Sequence, residues 1–233
     1  MVCRILKVGV LFSGGKDSTY AAYLARREGD ELSCLITLSP VRSDSYMFHY
    51  PNIRWTALQA QAMRLPQVTL ETKGVKEEEL ADLRKAIEIA KRDYSIEGVY
   101  TGALASVYQK SRVERICAEL GVKAVSPLWH IDQVVHLKNI VASNFEVIMT
   151  GVAALGLDES WLGRALDKDA ISDLASLHAR YGVNPGLEGG EGETFVLDCP
   201  LFDRRIQVVS SKKHWKGDAG YLEILDARLV AKA

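Results

Sequence analysis

The sequence has few cysteines, no long apolar segment and almost no net charge, and each absence excludes a class of protein. No apolar run approaches the ~20 residues that a membrane-spanning helix needs, so a membrane protein is not expected. The four cysteines are far apart and form no Cys-x-x-Cys pair, which argues against a structural zinc site and is typical of a reducing compartment. Because the first residues also lack a signal-peptide layout, we expect a cytoplasmic protein.

The charge balance limits the partners. The 233 residues include 29 Lys and Arg against 30 Asp and Glu, a formal net charge of −1. Such a chain has no global field that attracts nucleic acid or a membrane, so we expect neither as a direct partner. Its 48% hydrophobic and 25% charged residues are ordinary for a soluble globular protein. The composition leaves a homodimer open.

The first half of the chain alternates short apolar runs with amphipathic segments. Apolar strands that alternate with helices predict an α/β fold with a doubly wound parallel sheet. The expected strands are Leu6–Leu11, Leu32–Leu38, Gln67–Leu70, Gly98–Tyr100 and Ala124–Val125. The expected helices are Ser18–Arg27, Ile53–Met63, Lys76–Tyr94 and Ser106–Leu120.

The pattern changes after Ser126–Trp129. Two further helices and four further strands are expected there: Ile131–Ala142, Asp169–Tyr181, Glu146–Met149, Thr194–Leu197, Ile206–Ser211 and Tyr221–Leu229. We therefore predict a nucleotide-binding domain of residues 1–125. A smaller α+β domain of residues 126–233 would bind the substrate.

The nucleotide prediction rests on residues 12–18, which lie between the first apolar run and the first helical segment. A strand, a glycine turn and a helix N-terminus in that order form an anion pocket, because backbone N–H groups converge there and the helix dipole adds positive charge. Glycines allow close backbone approach, and a cation and two hydroxyls suit phosphate. The candidate phosphate-binding residues are Ser13, Gly14, Gly15, Lys16 and Ser18.

The spacing of this loop differs from the GxxxxGK[ST] and GxGxxG phosphate loops. The residue after Lys16 is Asp17, and a carboxylate beside phosphates is favourable when Mg²⁺ lies between them. The alternative is that Asp17 caps the helix and stabilises its dipole. We favour Asp17 as a metal ligand beside a bound nucleotide.

Ligands of an open parallel sheet bind at the carboxyl ends of its strands, which gives further candidates. Thr37 and Leu38 end the second expected strand and could contact adenosine, with strand-end packing as the alternative. His49 follows in a polar and aromatic loop, where an ordinary surface histidine is the alternative. Gly102 either lets the backbone approach a ligand or simply permits the turn. Thr150–Gly151 is expected on the same rim.

A second unusual segment is Glu188–Thr194. It holds Glu188, Glu191 and Glu193, separated by glycines, and continues directly into the apolar run Phe195–Leu197. We expect no packed strand or helix over the three carboxylates. A solvated acidic turn is one interpretation. Carboxylates held together beside a core also suit a cationic ligand, a metal or proton transfer, and we favour a function.

Together these motifs resemble one branch of the PP-loop superfamily of N-type ATP pyrophosphatases, the diphthine–ammonia ligases. The phosphate loop marks the superfamily. The more specific marks are Ser126–Trp129, Leu162–Arg164, Glu188–Thr194 and Asp198. The family's glutamate motif usually carries an aromatic residue where this chain has Gly192, so the packing of this loop is where we expect a difference.

The resemblance implies a PP-loop ATPase fold and the last step of diphthamide synthesis on translation elongation factor 2. A carboxylate of diphthine would attack the α-phosphate of ATP, with Mg²⁺ present. The products would be an acyl adenylate and pyrophosphate, and ammonia from ammonium would then displace AMP. The three glutamates would hold the ammonium or the quaternary ammonium of diphthine, or take a proton from ammonium.

Two other functions remain open at this point. A PP-loop enzyme could adenylate a different substrate such as a tRNA base, although no reactive cysteine pair for thiolation is evident and the neutral charge disfavours an RNA binder. A non-catalytic ATP-binding sensor is the other. The ligase interpretation requires the glycine bend and the distal acidic segment to lie in the same cleft.

Overall fold

The computed structural model describes residues 4–40, 52–73 and 78–232. Contacts divide the chain into two compact units: Met1–Ser13 with Asp17–Trp129, and Gly14–Lys16 with His130–Ala233. Three residues near the N-terminus therefore group with the C-terminal part. Among the described residues, no helix is both long and apolar enough to cross a membrane.

The first half of the chain builds a five-stranded parallel sheet. Its elements are β1 (Lys7–Leu11), α1 (Lys16–Arg27), β2 (Glu31–Pro40), α2 (Thr56–Met63), β3 (Gln67–Thr72), α3 (Glu78–Tyr94), β4 (Gly98–Tyr100), α4 (Val107–Leu120) and β5 (Lys123–Val125). The strand order is β3-β2-β1-β4-β5, and every neighbouring pair is parallel. The predicted α/β fold with a parallel sheet is confirmed. The chain reverses its direction of travel across the sheet between β1 and β4.

Apolar residues of the strands and helices form the core of this unit. Val8 and Val10 of β1 are fully buried. Ile36 of β2, Ile87 of α3 and Ile116 of α4 belong to one buried apolar cluster, which joins the sheet to its helices. The strands are only three to ten residues long. Burial of their β-branched side chains explains how such short strands form a stable sheet.

The second unit has a four-stranded antiparallel sheet and two helices. Its elements are α5 (Gln133–Ala142), β6 (Glu146–Val152), α6 (Lys168–Tyr181), β7 (Gly192–Asp198), β8 (Arg205–Lys216) and β9 (Ala219–Val230). The strand order is β7-β6-β9-β8. Both helices are capped by aspartates, since Asp132 accepts from Val135 N–H and Asp167 from Ala170 N–H, each at 2.8 Å.

Two strands differ from the prediction in ways that concern the site. β2 continues to Pro40, two residues past the expected end, whereas its pairing with β1 stops at Ile36. β7 begins at Gly192 and so contains Glu193, which we did not expect in a strand. The reason is that Glu193 pairs with Gly151 of β6, and the missing side chain of Gly151 leaves room for the glutamate.

Candidate active site

The loop between β1 and α1 is closed by two serines. Ser13 N–H donates to Ser18 Oγ at 3.2 Å, and the two hydroxyl oxygens lie 3.1 Å apart. Gly14 has a φ of +80°, which glycine adopts without a Cβ clash. The first turn of a helix carries N–H groups that lack partners inside the helix, and α1 begins at Lys16. A glycine turn that leads into a helix N-terminus is the kind of structure that binds phosphate groups.

The bend Gly14–Lys16 is hydrogen-bonded to the distal segment of the second unit. Val196 N–H donates to Gly14 O at 3.1 Å. Lys16 N–H donates to Thr194 Oγ1 at 3.1 Å, and its ammonium donates to Gly186 O at 2.7 Å. Lys16 is only 3% exposed. The glycine bend and the strand that follows the acidic residues are therefore in direct contact.

Gly102 lies against the start of α1. A Cβ atom on Gly102 would come within 2.7 Å of both Asp17 C and Ser18 N. Only glycine allows this approach of two backbones. The loops after β1 and β4 flank the point at which the strand order reverses, and open α/β sheets bind their ligands there.

Thr37 and Leu38 lie inside β2 rather than at its end. Both pair with β3, and both lie beyond the last residue of β2 that pairs with β1. The buried Thr37 hydroxyl donates to Phe12 O at 2.8 Å, which ties this stretch to the start of the phosphate loop. Their proposed contact with adenosine stays a prediction. His49 lies outside the described residues.

The three glutamates have different local settings. Glu191 Oε2 accepts from Gly189 N–H at 2.6 Å, so this carboxylate folds back and shapes its own loop. Its carbonyl also accepts from Ala153 N–H at 2.8 Å. Glu193 projects from β7 over Gly151, and Glu188 is half-buried in the turn that precedes them. Glu193 is thus fixed by a sheet, whereas Glu191 is fixed by a turn.

Asp17 lies in the first turn of α1, where a carboxylate stabilises the helix dipole. Over the described residues, no group of three or more His, Cys, Asp or Glu side chains could hold a metal ion. A Mg²⁺ ion at Asp17 would therefore need further oxygen ligands from phosphates and water. Such a ligand set is ordinary for Mg²⁺ in nucleotide sites.

The other motifs have packing roles in their own units. In the first unit Leu128 is fully buried and the ammonium of Lys110 lies 5.0 Å from the ring centre of Trp129. In the second, Gly163 N–H and Met149 O are bonded at 2.8 Å, which adds this segment to β6. Asp198 forms an ion pair with Lys232 at 2.8 Å.

Buried cysteines do not supply a nucleophile in the part of the chain that the structure describes. Burial raises the pKa of the Cys34 and Cys199 thiols to about 12 and that of Cys117 to about 11. At neutral pH these groups are protonated and behave as small apolar side chains. A thiolation mechanism finds no support in them.

Two contributors to the site were missed by sequence reasoning. Thr194 was assigned only to the end of the acidic motif and the start of an expected strand, and the carbonyl of Gly186 carries no sequence signal. Both act on Lys16, which is more than 160 residues away along the chain. The one hint in the sequence was that Thr194, a hydroxyl residue, directly follows Glu193 at the start of an expected strand.

Comparisons with known proteins cover nearly the whole chain. Residues 6–124 match the family model "Diphthamide synthase N-terminal domain", and residues 132–230 match "Diphthamide synthase C-terminal domain". The diphthine–ammonia ligases of Mus musculus and Rattus norvegicus are 38% and 39% identical over 226 residues, which cover 89% of this chain and 84% of each relative. A solved structure from Methanocaldococcus jannaschii, named as a predicted subunit of tRNA methyltransferase, covers 84% of this chain and 98% of its own, at 20% identity and a TM-score of 0.46. That weak similarity carries no functional argument.

Proposed function

The chain belongs to the diphthamide synthase family, and from that membership we propose that it is an ATP-dependent amide ligase acting on diphthine. Its substrate is diphthine on translation elongation factor 2, its nitrogen source is ammonium, and its by-products are AMP and pyrophosphate. The observation that carries the proposal is the contact between Gly14–Lys16 and residues 186–196. It brings a phosphate-binding bend to the strand that carries acidic side chains.

On the nucleotide side, the bend and the start of α1 bind the phosphates of ATP. The helix N-terminus and the Lys16 ammonium offset negative charge, and the serine hydroxyls add donors. ATP activates the carboxylate of diphthine as an acyl adenylate: the carboxylate oxygen bonds to the α-phosphate and pyrophosphate leaves, and AMP is then the group that ammonia displaces. Asp17 would be the protein ligand of a Mg²⁺ ion that accompanies the nucleotide, and this ion would offset the charge of the phosphates. Thr37, Leu38 and Gly102 contact the nucleotide at the same edge of the sheet.

On the acceptor side, Glu188, Glu191 and Glu193 receive the cations of this reaction. Ammonium and the quaternary ammonium of diphthine are both cations, and carboxylates attract both. A carboxylate that accepts a proton from ammonium produces neutral NH₃, the form that attacks an acyl group. Glu193 suits that task because its backbone is fixed in β7 opposite Gly151.

The proposed roles of the two halves of the chain, nucleotide binding and substrate binding, follow the two family domains. We assign nucleotide binding to residues 1–125 and substrate binding to residues 126–233, with Gly14–Lys16 contacting the latter. We propose a cytoplasmic location, because the proposed protein substrate is elongation factor 2. Neither a membrane nor a nucleic acid takes part in the proposed reaction.

Mass spectrometry of elongation factor 2 tests the proposal. Diphthine-bearing factor, incubated with the protein, ATP, Mg²⁺ and ammonium, is expected to lose about one mass unit as carboxylate becomes amide. One AMP and one pyrophosphate should appear for each amide. Lys16→Ala and Asp17→Ala should abolish the reaction, whereas Lys138→Ala, at an exposed position of α5, should not.

Three outcomes would contradict the proposal. AMP formation without the mass change would favour another acceptor, such as a tRNA base. ATP binding without AMP formation would favour a sensor. Full activity of Lys16→Ala would remove the phosphate loop from the mechanism.

A further inference from the structure

A tight turn supports the lysine of the phosphate loop. In this turn Leu187 N–H donates to Asn184 O at 2.9 Å. Gly186 N–H donates to two amide oxygens, Asn184 Oδ1 at 2.8 Å and Gln133 Oε1 at 3.1 Å. Pro185, Gly186 and Leu187 are buried. The backbone of Gly186 is therefore restrained on both sides.

The carbonyl of Gly186 accepts a hydrogen bond from the Lys16 ammonium. Its oxygen lies 2.7 Å from the Lys16 ammonium, in a buried position. The peptide unit that carries this carbonyl ends in Leu187 N–H, which is itself bonded to Asn184 O. Both ends of that peptide plane are thus held, and the direction of its C=O group is fixed.

We propose that Gln133 and Asn184 are positioning residues for Lys16. By holding Gly186 they fix the carbonyl against which the ammonium rests, and so they aim this charge at the phosphates of the nucleotide. A lysine ammonium is a point charge on a flexible four-carbon chain. Restraining it before binding lowers the ordering cost at the moment that ATP binds. This inference rests on the proposed use of Lys16 in ATP binding.

Gln133 has no evident role in building its own helix. It is the first residue of α5, whose cap is supplied by Asp132. Its amide instead reaches across to Gly186, where a Cβ atom would come within 3.1 Å of Gln133 Cδ and 3.2 Å of Asn184 Oδ1. Both amides therefore pack tightly on a glycine that leaves them room.

Calorimetric titration with ATP tests the inference. Because two oxygens share one N–H group, Gln133→Leu alone should weaken ATP binding by about threefold or less. The pair Gln133→Leu/Asn184→Ala should weaken it about tenfold, as loss of a hydrogen-bonded restraint implies. Gln207→Leu is the matched control, since Gln207 Oε1 also accepts a hydrogen bond, from Arg228 Nε at 2.9 Å.

A double-mutant cycle with Lys16→Ala separates positioning from simple structural support. If the two amides act through the ammonium, the paired variant should have little further effect once Lys16 is alanine. An equal loss in both backgrounds would overturn the inference, as would parental ATP affinity in the paired variant. The KM for elongation factor 2 should not change. ATP binding is measured without turnover, so a protein that binds ATP but fails to amidate the factor would refute the proposed function alone.

Discussion

Replacing Gly151 by alanine should disable the acceptor side of the site without removing the nucleotide. Gly151 faces Glu193 across the β6–β7 ladder. Its φ lies outside the left-handed region, so the backbone itself tolerates alanine. The new Cβ would come within 2.9 Å of Glu193 Cβ and 3.0 Å of Cγ. Those atoms must therefore move.

The size of the effect follows from these contacts. Carbon atoms pack best at about 3.5–4.0 Å, so the glutamate must shift by about 0.5–1 Å. Overpacking of this kind costs about 1–3 kcal/mol of folding stability. A misplacement of about 1 Å at a reacting group costs about 100-fold in rate. We expect amidation to slow by about that factor in Gly151→Ala.

Single-turnover amidation and calorimetric ATP binding are the two assays. ATP affinity should change by less than about threefold, because the hydrogen bonds of the bend to Thr194 and Val196 are left in place. Gly98→Ala is the control, since its Cβ would meet Val8 and the Lys123 carbonyl at 3.3 Å and no glutamate. A folded Gly151→Ala protein with parental turnover would refute a catalytic role for Glu193.

Two further predictions concern single side chains. Thr194→Val removes the hydroxyl that accepts from Lys16 N–H at 3.1 Å, so ATP affinity should fall about fivefold in calorimetry, and Thr194→Ser should restore it. Equal affinities for the valine and serine variants would refute the contact. Burial raises the pKa of the Cys34 thiol from 9.0 to about 12, so the unfolded chain loses this proton first and the free energy of unfolding should fall as pH rises above about 9. Urea titrations from pH 8 to pH 11 should show a shallower fall for Cys34→Ala, and identical pH profiles would contradict the shift.

The fold was largely predictable because its signals are local. Apolar runs such as Val8–Leu11 alternate with amphipathic helices, and Val8 and Val10 of this run are fully buried. Strand ends were less predictable. Whether β2 stops at Leu38 or continues to Pro40 depends on pairing with β3, and a single strand's sequence does not encode its neighbour's length.

The site was predictable only where one segment carries its own chemistry. Residues 13–18 and the acidic segment stand out by residue type. What brings them together is a set of hydrogen bonds to Gly186, Thr194 and Val196, of which two use backbone atoms that every residue possesses. The strand position of Glu193 was mispredicted for a similar reason, because the room it needs comes from Gly151 on another strand.

The grouping of Gly14–Lys16 with the C-terminal residues has a practical consequence for fragments of this enzyme. A fragment that ends at Trp129 would contain the complete Ser-Gly-Gly-Lys-Asp-Ser sequence. Judged by its sequence motif alone, it would appear to hold a complete ATP site. It would nevertheless lack the backbone amide of Val196, the hydroxyl of Thr194 and the carbonyl of Gly186 that engage those three residues. Dissecting the protein at its apparent domain border, or grafting its front half onto another scaffold, would separate the loop that marks the superfamily from the residues that bind it.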